Sequence, residues 1–290
     1  MVIAIQYHDH IGINSFMSWV GGKKALRREI IHRFPLSYQR YIEVFGGAGW
    51  VLFYKKPSPF EVYNDFNVYL VNLFRCVRYE DKKEELKEIL RYTLNSRSDF
   101  EQYKKMIGAA PSVDTKGDPE LAAAFYCLIR YSYASGLTSF GAQPHNMSNN
   151  FALIDAAHER LQPVIIENWD CVRLIDYYDQ EGSLFYLDPP YYEAENVYQN
   201  IGGFREEDHI RLRDTLLSIE GRFLLSYNDH QRIRELYDFP GIHIEETQRL
   251  DNIRQRYEGG AMYKELYISN YDTRELARSI PKQLTIFDTH

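Results

Sequence analysis

The segment Leu184-Phe185-Tyr186-Leu187-Asp188-Pro189-Pro190-Tyr191 narrows the possible folds more than any other stretch of this chain. A short apolar run bounded by turn residues reads as a strand buried on both faces. Each of the two prolines then locks φ and removes an N–H donor, so the chain can continue neither as helix nor as sheet. The Asp188 oxygens and the carbonyls preceding the prolines are left as acceptors, with the Tyr191 ring held beside them. A planar ligand carrying an amino group satisfies all of these groups at once, and a flipped nucleobase is such a ligand. The same four residues also read as a plain strand-ending turn.

Other strands of this kind alternate with helices. Tyr41 to Phe45, Phe60 to Tyr63, Val164 to Glu167, Arg222 to Tyr227, His243 to Glu246 and Lys264 to Ser269 are strand candidates. Lys24 to Phe34 carries Leu26, Ile30 and Ile31 at helical spacing and is stopped by Pro35, while Trp50 to Tyr54 and Glu206 to Ile219 are further helices. The alternation predicts an α/β sheet. It is interrupted between about Asn67 and Asn150, where Asp81 to Leu94, Ser98 to Ile107 and Asp118 to Tyr131 read as amphipathic helices. The charge run Asp81-Lys82-Lys83-Glu84-Glu85 fits a solvated helix face. Tyr131 to Asn150 then contains no Asp, Glu, Lys or Arg and is rich in Ser, Gly, Tyr, Asn and Gln.

The strand ends carry the chemistry. Phe45-Gly46-Gly47-Ala48-Gly49 follows a strand and opens a helix, where a glycine-rich loop lets a nucleotide-like ligand approach the backbone. The Gly-Lys-Ser/Thr ending of a Walker loop is absent. Asp65 closes the next strand, at the spacing where α/β nucleotide binders place an acid on ribose hydroxyls, although turn and cap chemistry also fits. Upstream, Trp19-Val20-Gly21-Gly22-Lys23 combines an indole, two permissive glycines and a cation, and reads equally as a surface turn before a helix. Trp169-Asp170 offers a stacking face and an acceptor, or simply a helix N-cap.

Composition sets outer limits. With 290 residues, the chain can bury one large core or two modest ones. Its 24 Tyr and 16 Phe exceed what a core alone needs and suit stacking surfaces. The net charge of −7 argues against a protein that coats DNA, but leaves room for an enzyme that grips DNA in a local cleft. Cys76, Cys127 and Cys171 are widely spaced and odd in number, which predicts free buried thiols in a reducing cytoplasm and no zinc site. No signal peptide and no apolar run long enough to span a bilayer is evident.

Taken together and in this order, these segments resemble the Dam-type family of adenine-specific DNA methyltransferases. The resemblance runs through Ser18-Trp19-Val20-Gly21-Gly22-Lys23, Ile42 to Gly49, Asn64-Asp65-Phe66-Asn67, Asp188-Pro189-Pro190-Tyr191-Tyr192, Phe223 to Asp229 and Glu265 to Tyr271. It implies a Rossmann-like mixed seven-stranded sheet that uses S-adenosylmethionine. The catalytic domain would be discontinuous, residues 1–66 and 151–275, with a helical target-recognition insertion at 67–150 and a tail at 276–290. By the same resemblance, Trp19 and Lys23 line the cofactor pocket near its methionine and active-site end. Phe45, Gly46, Gly47 and Gly49 wrap the methionine moiety, Asp65 takes the ribose hydroxyls, and Asp170 lies near the cofactor adenine. Asp188, the Pro189 carbonyl and Tyr191 hold the target adenine, with no metal required.

The recognition segment departs from the family pattern. GATC-methylating relatives carry Asn-Gly-Leu followed by Arg-Tyr-Asn, where this chain reads Arg130-Tyr131-Ser132-Tyr133-Ala134-Ser135-Gly136-Leu137-Thr138-Ser139-Phe140-Gly141. Arg130, Tyr133, Ser135, Gln143 and Asn146 are the expected DNA contacts, since Asn and Gln read adenine edges. A flexible polar loop is the competing reading. The tail segment Gln283-Leu284-Thr285-Ile286-Phe287 resembles the short peptide by which bacterial proteins dock on the sliding clamp, with Gln283, Leu284 and Phe287 as anchors. The reading is therefore a bacterial or phage enzyme, cytoplasmic, acting on double-stranded DNA. Its alternatives are an N4-cytosine methyltransferase and a non-catalytic DNA- or clamp-binding module.

Overall fold

A computed structural model of the protein describes residues 12–109, 117–132, 136–142, 144–192, 204–250 and 262–274. The helices are Arg27–His32 (α1), Trp50–Tyr54 (α2), Val68–Arg78 (α3), Glu80–Arg91 (α4), Arg97–Ala109 (α5), Pro119–Tyr131 (α6), Phe151–Leu161 (α7), Cys171–Tyr178 (α8), Glu206–Leu216 (α9) and Gln231–Leu236 (α10), with a 3-10 turn at Met147–Asn150. The strands are Arg40–Glu43 (β1), Phe60–Asn64 (β2), Val164–Glu167 (β3), Ser183–Leu187 (β4), Arg222–Asn228 (β5), His243–Leu250 (β6) and Met262–Ser269 (β7). They form one sheet of order β3-β2-β1-β4-β5-β7-β6. β2 with β3, and β1 with β4 with β5, pair in parallel, whereas β7 runs antiparallel to both β5 and β6. The mixed seven-stranded α/β sheet expected from the sequence is present.

Chain order reverses between β1 and β4, and in open α/β sheets ligands bind beyond the carboxyl ends of the strands at such a switch point. Glu43 is level with Tyr186 across this pair. Two residues further along each strand stand Phe45 and Asp188, and the Val44 N–H to Tyr186 carbonyl bond of 3.0 Å carries the pairing outward. Every residue of β4 is buried, as its unbroken apolar run requires.

The chain divides into two compact units, one of residues 1–28 and 46–168, the other of 29–45 and 169–290. Within the first, α6 is the central helix. Asp118 caps it by accepting the Leu121 N–H at 3.0 Å, Pro119 occupies its first turn, and it packs against α3, α4 and α5. Within the second, Asp170 caps α8 and the β6–β7 ribbon leans on β5. Cys76, Cys127 and Cys171 are buried and free, and burial pushes each thiol up to about 12, which leaves them inert as nucleophiles. Among the described residues no helix is long and apolar enough to cross a membrane.

Several elements differ from the sequence expectation. The helix predicted from Lys24 begins only at Arg27, because Lys23 to Leu26 is a turn closed by the Leu26 N–H on the Lys23 carbonyl at 3.1 Å. α3 was not separable as a helix: seven of its residues, including Asn72, are buried, so it lacks a clear solvent stripe. α7 and α10 also lie in segments without a predicted element, and α8 begins where Asp170 reads as a helix N-cap. In the charge run, Lys83 is buried, paired with Glu80 at 3.0 Å and Glu84 at 3.3 Å and within 3.6 Å of Asp155 on α7, while its neighbours face solvent.

Candidate active site

In the first unit the glycine loop and Asp65 form one construction. The Asp65 carboxylate accepts the Gly47 N–H on Oδ2 and the Asn67 N–H on Oδ1, both at 2.8 Å. Gly46 N–H reaches the Asn64 carbonyl at 2.8 Å, and the Tyr63 hydroxyl donates to the Gly47 carbonyl at 2.7 Å. Asn67 then caps α3 through the Tyr69 and Leu70 N–H groups. Asn168, just past β3, donates to the Asp65 and Phe66 carbonyls at 2.7 and 3.1 Å. Burial pushes the Asp65 carboxyl up to about 6, against the two backbone N–H bonds that draw it down.

The glycines have separate duties. A methyl at Gly46 would lie 2.2 Å from the Tyr63 ring, so its missing side chain makes room for Tyr63 rather than for a ligand. Gly47 and Gly49 have φ of +50° and +66°, a left-handed backbone that other residues rarely adopt. Trp19 covers Gly47, with its Cδ1 atom 3.0 Å from where a Cβ would stand, and meets Phe125 at 5.7 Å between ring centroids. Lys23 is buried on the following turn, 3.4 Å from the Gly21 carbonyl. The Gly22 backbone packs on the Trp50 indole, over which the Lys24 ammonium and the Arg27 guanidinium also lie, each at 5.3 Å.

In the second unit the Asp188 turn leaves the end of β4 with Pro189 buried and Asp188, Tyr191 and Tyr192 half-buried. The Asp188 charge contributes, after burial, to raising the Tyr186 phenol. Tyr186 and Ser226 share a bond at 3.1 Å, and Ser226 donates on to the Leu187 carbonyl at 3.3 Å, fixing the last residue before Asp188. The Tyr191 ring is 6.5 Å from that of Tyr227, and Phe45 meets Phe204 edge-on at 5.6 Å. Asp170 accepts the Val172 N–H at 3.1 Å and the Arg173 N–H at 3.4 Å as a helix cap, and the Arg211 guanidinium at 3.1 Å on the same oxygen.

The expected site residues thus fall into two groups: Trp19, Lys23, Gly46, Gly47, Gly49 and Asp65 in one unit, Phe45, Asp170, Asp188, Pro189 and Tyr191 in the other. Of the expected DNA contacts, Arg130 ends α6 with its Nε buried and without a hydrogen-bond partner. Asn146 caps the 3-10 turn, its Oδ1 accepting the Ser148 N–H at 3.0 Å. Tyr133, Ser135, Gln143 and the tail anchors Gln283, Leu284 and Phe287 lie outside the described residues. The sequence reading gave no role to Tyr192, His209, Tyr227 or Asn228, although Tyr192, Tyr227 and Asn228 stand inside quoted motifs; His209 had no signal.

A mostly parallel sheet that reverses order between a glycine-loop strand and an Asp-Pro-Pro-Tyr strand is the sheet of a Rossmann-like methyltransferase. Residues 19–250 match the family model of the D12 class N6 adenine-specific DNA methyltransferases, and the chain belongs to that family. It is 26% identical over 284 residues to the type II methyltransferase M1.LlaDCHI of Lactococcus lactis subsp. cremoris, a match covering 91% of this chain and 97% of that one. It is 28% identical over 274 residues to the DNA adenine methylase of Haemophilus influenzae, covering 87% and 91%. The protein is an adenine-specific DNA methyltransferase, and use of S-adenosylmethionine is general to its family.

Proposed function

We propose that this chain methylates adenine N6 in double-stranded DNA, at specific sites, by flipping the base and transferring the methyl group in one displacement. The placement of Asp188 at the switch point, level with Phe45 and directly before Pro189, carries the reading. Asp65 fits the cofactor: each carboxylate oxygen holds one backbone N–H and keeps a lone pair for one hydroxyl of a vicinal diol. When bound, S-adenosylmethionine supplies an electrophilic sulfonium methyl. Trp19, Lys23, Phe45, Gly46, Gly47 and Gly49 would enclose it. Asp170 would approach its adenine with the oxygen that is not engaged at the α8 cap.

The chemistry of the target then rests on this chain's own groups. Adenine's amino nitrogen is a poor nucleophile because its lone pair is delocalised into the ring. Asp188 and the Pro189 carbonyl, accepting its two N–H bonds, favour a pyramidal nitrogen with its lone pair turned toward the methyl donor. Tyr191 stacks on the extruded ring. The test is to incubate the protein with labelled S-adenosylmethionine and unmethylated DNA and to map the modified bases by sequencing. N6-methyladenine lost in Asp188→Ala is the expected result. Label in N4-methylcytosine, no label, or full activity in Asp188→Ala overturns the reading.

The segment 67–150 belongs to the same proposal as the target-recognition insertion within a discontinuous catalytic domain. With one lone pair of its Oδ1 on the cap, Asn146 would present its amide N–H donors to DNA, which suits an acceptor on a base edge or phosphate. Activity in a bacterial or phage cytoplasm, as part of a restriction-modification system, and docking of Gln283, Leu284 and Phe287 on a sliding clamp complete it. A synthetic peptide of Lys282 to His290 tests the docking: no clamp binding at high micromolar concentration would end that part.

A further inference from the structure

Tyr192 is held at more points than a residue after a strand-ending turn requires. Asn228 donates from Nδ2 to its carbonyl at 3.2 Å, and only the amide nitrogen can make that bond, so the orientation of the amide is settled. Its ring lies 4.6 Å from the His230 imidazole and 5.3 Å from that of His209. The Tyr192 hydroxyl and then Arg232, whose Nε donates to the Glu206 carboxylate at 2.8 Å, hold that carboxyl below its ordinary pKa. His209 is itself fixed: it is 2% exposed, its Nδ1 is 2.6 Å from the Tyr227 hydroxyl, and Phe204 meets it edge-on at 4.7 Å. The start of α9 and the end of β5 therefore grip the same residue, and the Tyr227 ring that anchors His209 also faces Tyr191.

We propose that Tyr192 is a positioning residue for the methyl transfer: clamped by Asn228, His209 and His230, it fixes the turn from Asp188 to Tyr191 so that Tyr191 meets the flipped base already in place. Prolines at 189 and 190 leave this turn without two N–H donors, so its order must come from outside contacts. Without the clamp, the Tyr191 ring would have to be ordered anew at each base capture, and a shift of about 1 Å at a reacting centre can lower a rate about 100-fold. The inference rests on the reading of Tyr191 as the stacking residue.

Asn228→Asp tests it, since the change is nearly isosteric and sets an acceptor against the Tyr192 carbonyl. The single-turnover transfer rate is expected to fall about 10- to 100-fold while cofactor affinity and the KM for DNA stay within about twofold. With 2-aminopurine in place of the target adenine, the fluorescence rise on binding should shrink in parallel. Tyr192→Phe, which keeps the ring against His209 and His230 and loses only the hydroxyl, should restore most of the rate lost in Tyr192→Ala. Wild-type rates in Asn228→Asp and Tyr192→Ala, both shown folded by circular dichroism, overturn the inference, as does a raised KM with kcat unchanged. Tyr191→Ala separates the two readings: if it keeps the 2-aminopurine signal, the stacking role itself fails and the inference with it. If it loses the signal while the Tyr192 and Asn228 variants keep theirs, only the inference fails.

Discussion

Asp65, as the proposed partner of the cofactor's ribose, should make cofactor binding depend on pH in a defined window. Burial sets its folded pKa at about 6, about two units above its ordinary value. Each oxygen already accepts one N–H, from Gly47 and from Asn67. Two ribose hydroxyls would add a donor to each oxygen and favour the charged form, drawing the pKa back down toward about 4. Between those two values binding must release a proton, so affinity falls about tenfold for each pH unit below 6, up to ~100-fold or ~3 kcal/mol. The dissociation constant for S-adenosylmethionine should be flat from pH 7 to 8 and about tenfold weaker at pH 5 than at pH 7. Calorimetric titration across that range checks it, with Asp65→Asn as the partner measurement: weaker at pH 7 and without the inflection. The stability of the free protein moves the other way. A carboxyl whose folded pKa exceeds its unfolded value binds its proton more tightly when folded, so this group's contribution to stability grows as pH falls from about 6 to about 4. A dissociation constant that changes less than about twofold between pH 7 and 5, or an Asn variant that keeps the slope, refutes the argument.

Two further outcomes concern the scaffold of the first unit. Glu61, 2% exposed, lies between Lys55 and Arg160, and the bonds and charges of these two cations outweigh the opposing effect of burial, so its pKa is lowered. Glu61→Gln leaves buried Lys55 and half-buried Arg160 facing a neutral amide and should cost about 3–5 kcal/mol in urea unfolding at pH 7. Because the folded pKa lies below the unfolded one, that contribution is present above the unfolded pKa and disappears as pH falls through the folded value; equal stability of the two proteins at pH 7 would dispose of the claim. Gly46→Ala should lower the melting temperature, by about 1–3 kcal/mol of stability, because a methyl 2.2 Å from Tyr63 must push a ring stacked on Phe74 at 3.9 Å. Gly108→Ala, with nothing within 4 Å of the new methyl near the end of α5, should be neutral or stabilising by up to ~1 kcal/mol; the reverse ranking in thermal melts would show that the packing argument is wrong.

What could be read from the chain and what could not divide along the range of the interactions involved. β4 and its turn were legible because both signals are local: an unbroken apolar run and two prolines act on their own backbone. The glycine loop was legible as a place but not as a mechanism. Sequence reading assigned its glycines to ligand access, whereas Gly46 yields to Tyr63, a residue 17 positions away that only sheet pairing brings near, and Gly47 yields to Trp19 as well as to its own φ. α3 escaped because a helix covered on most sides loses the polar stripe that makes periodicity visible. Asp170 kept two readings in the sequence, and its cap to Val172 and Arg173 now accounts for one oxygen.

The His209–Tyr227 pair marks the limit most sharply. No spacing rule links a helix residue to a strand residue 18 positions later, and each alone reads as an ordinary core side chain. Only when α9 lies along the second unit's sheet do a buried imidazole and a buried phenol find each other, and burial alone holds that imidazole neutral, with its pKa lowered to about 4. A neutral ring can stay in an apolar setting at a cost small enough for one hydrogen bond to offset, whereas a charged one could not. The residues proposed to touch the base are therefore announced by local backbone chemistry, while those proposed to hold them in place are chosen by packing, and that is why Asp188 could be read directly and Tyr192 could not.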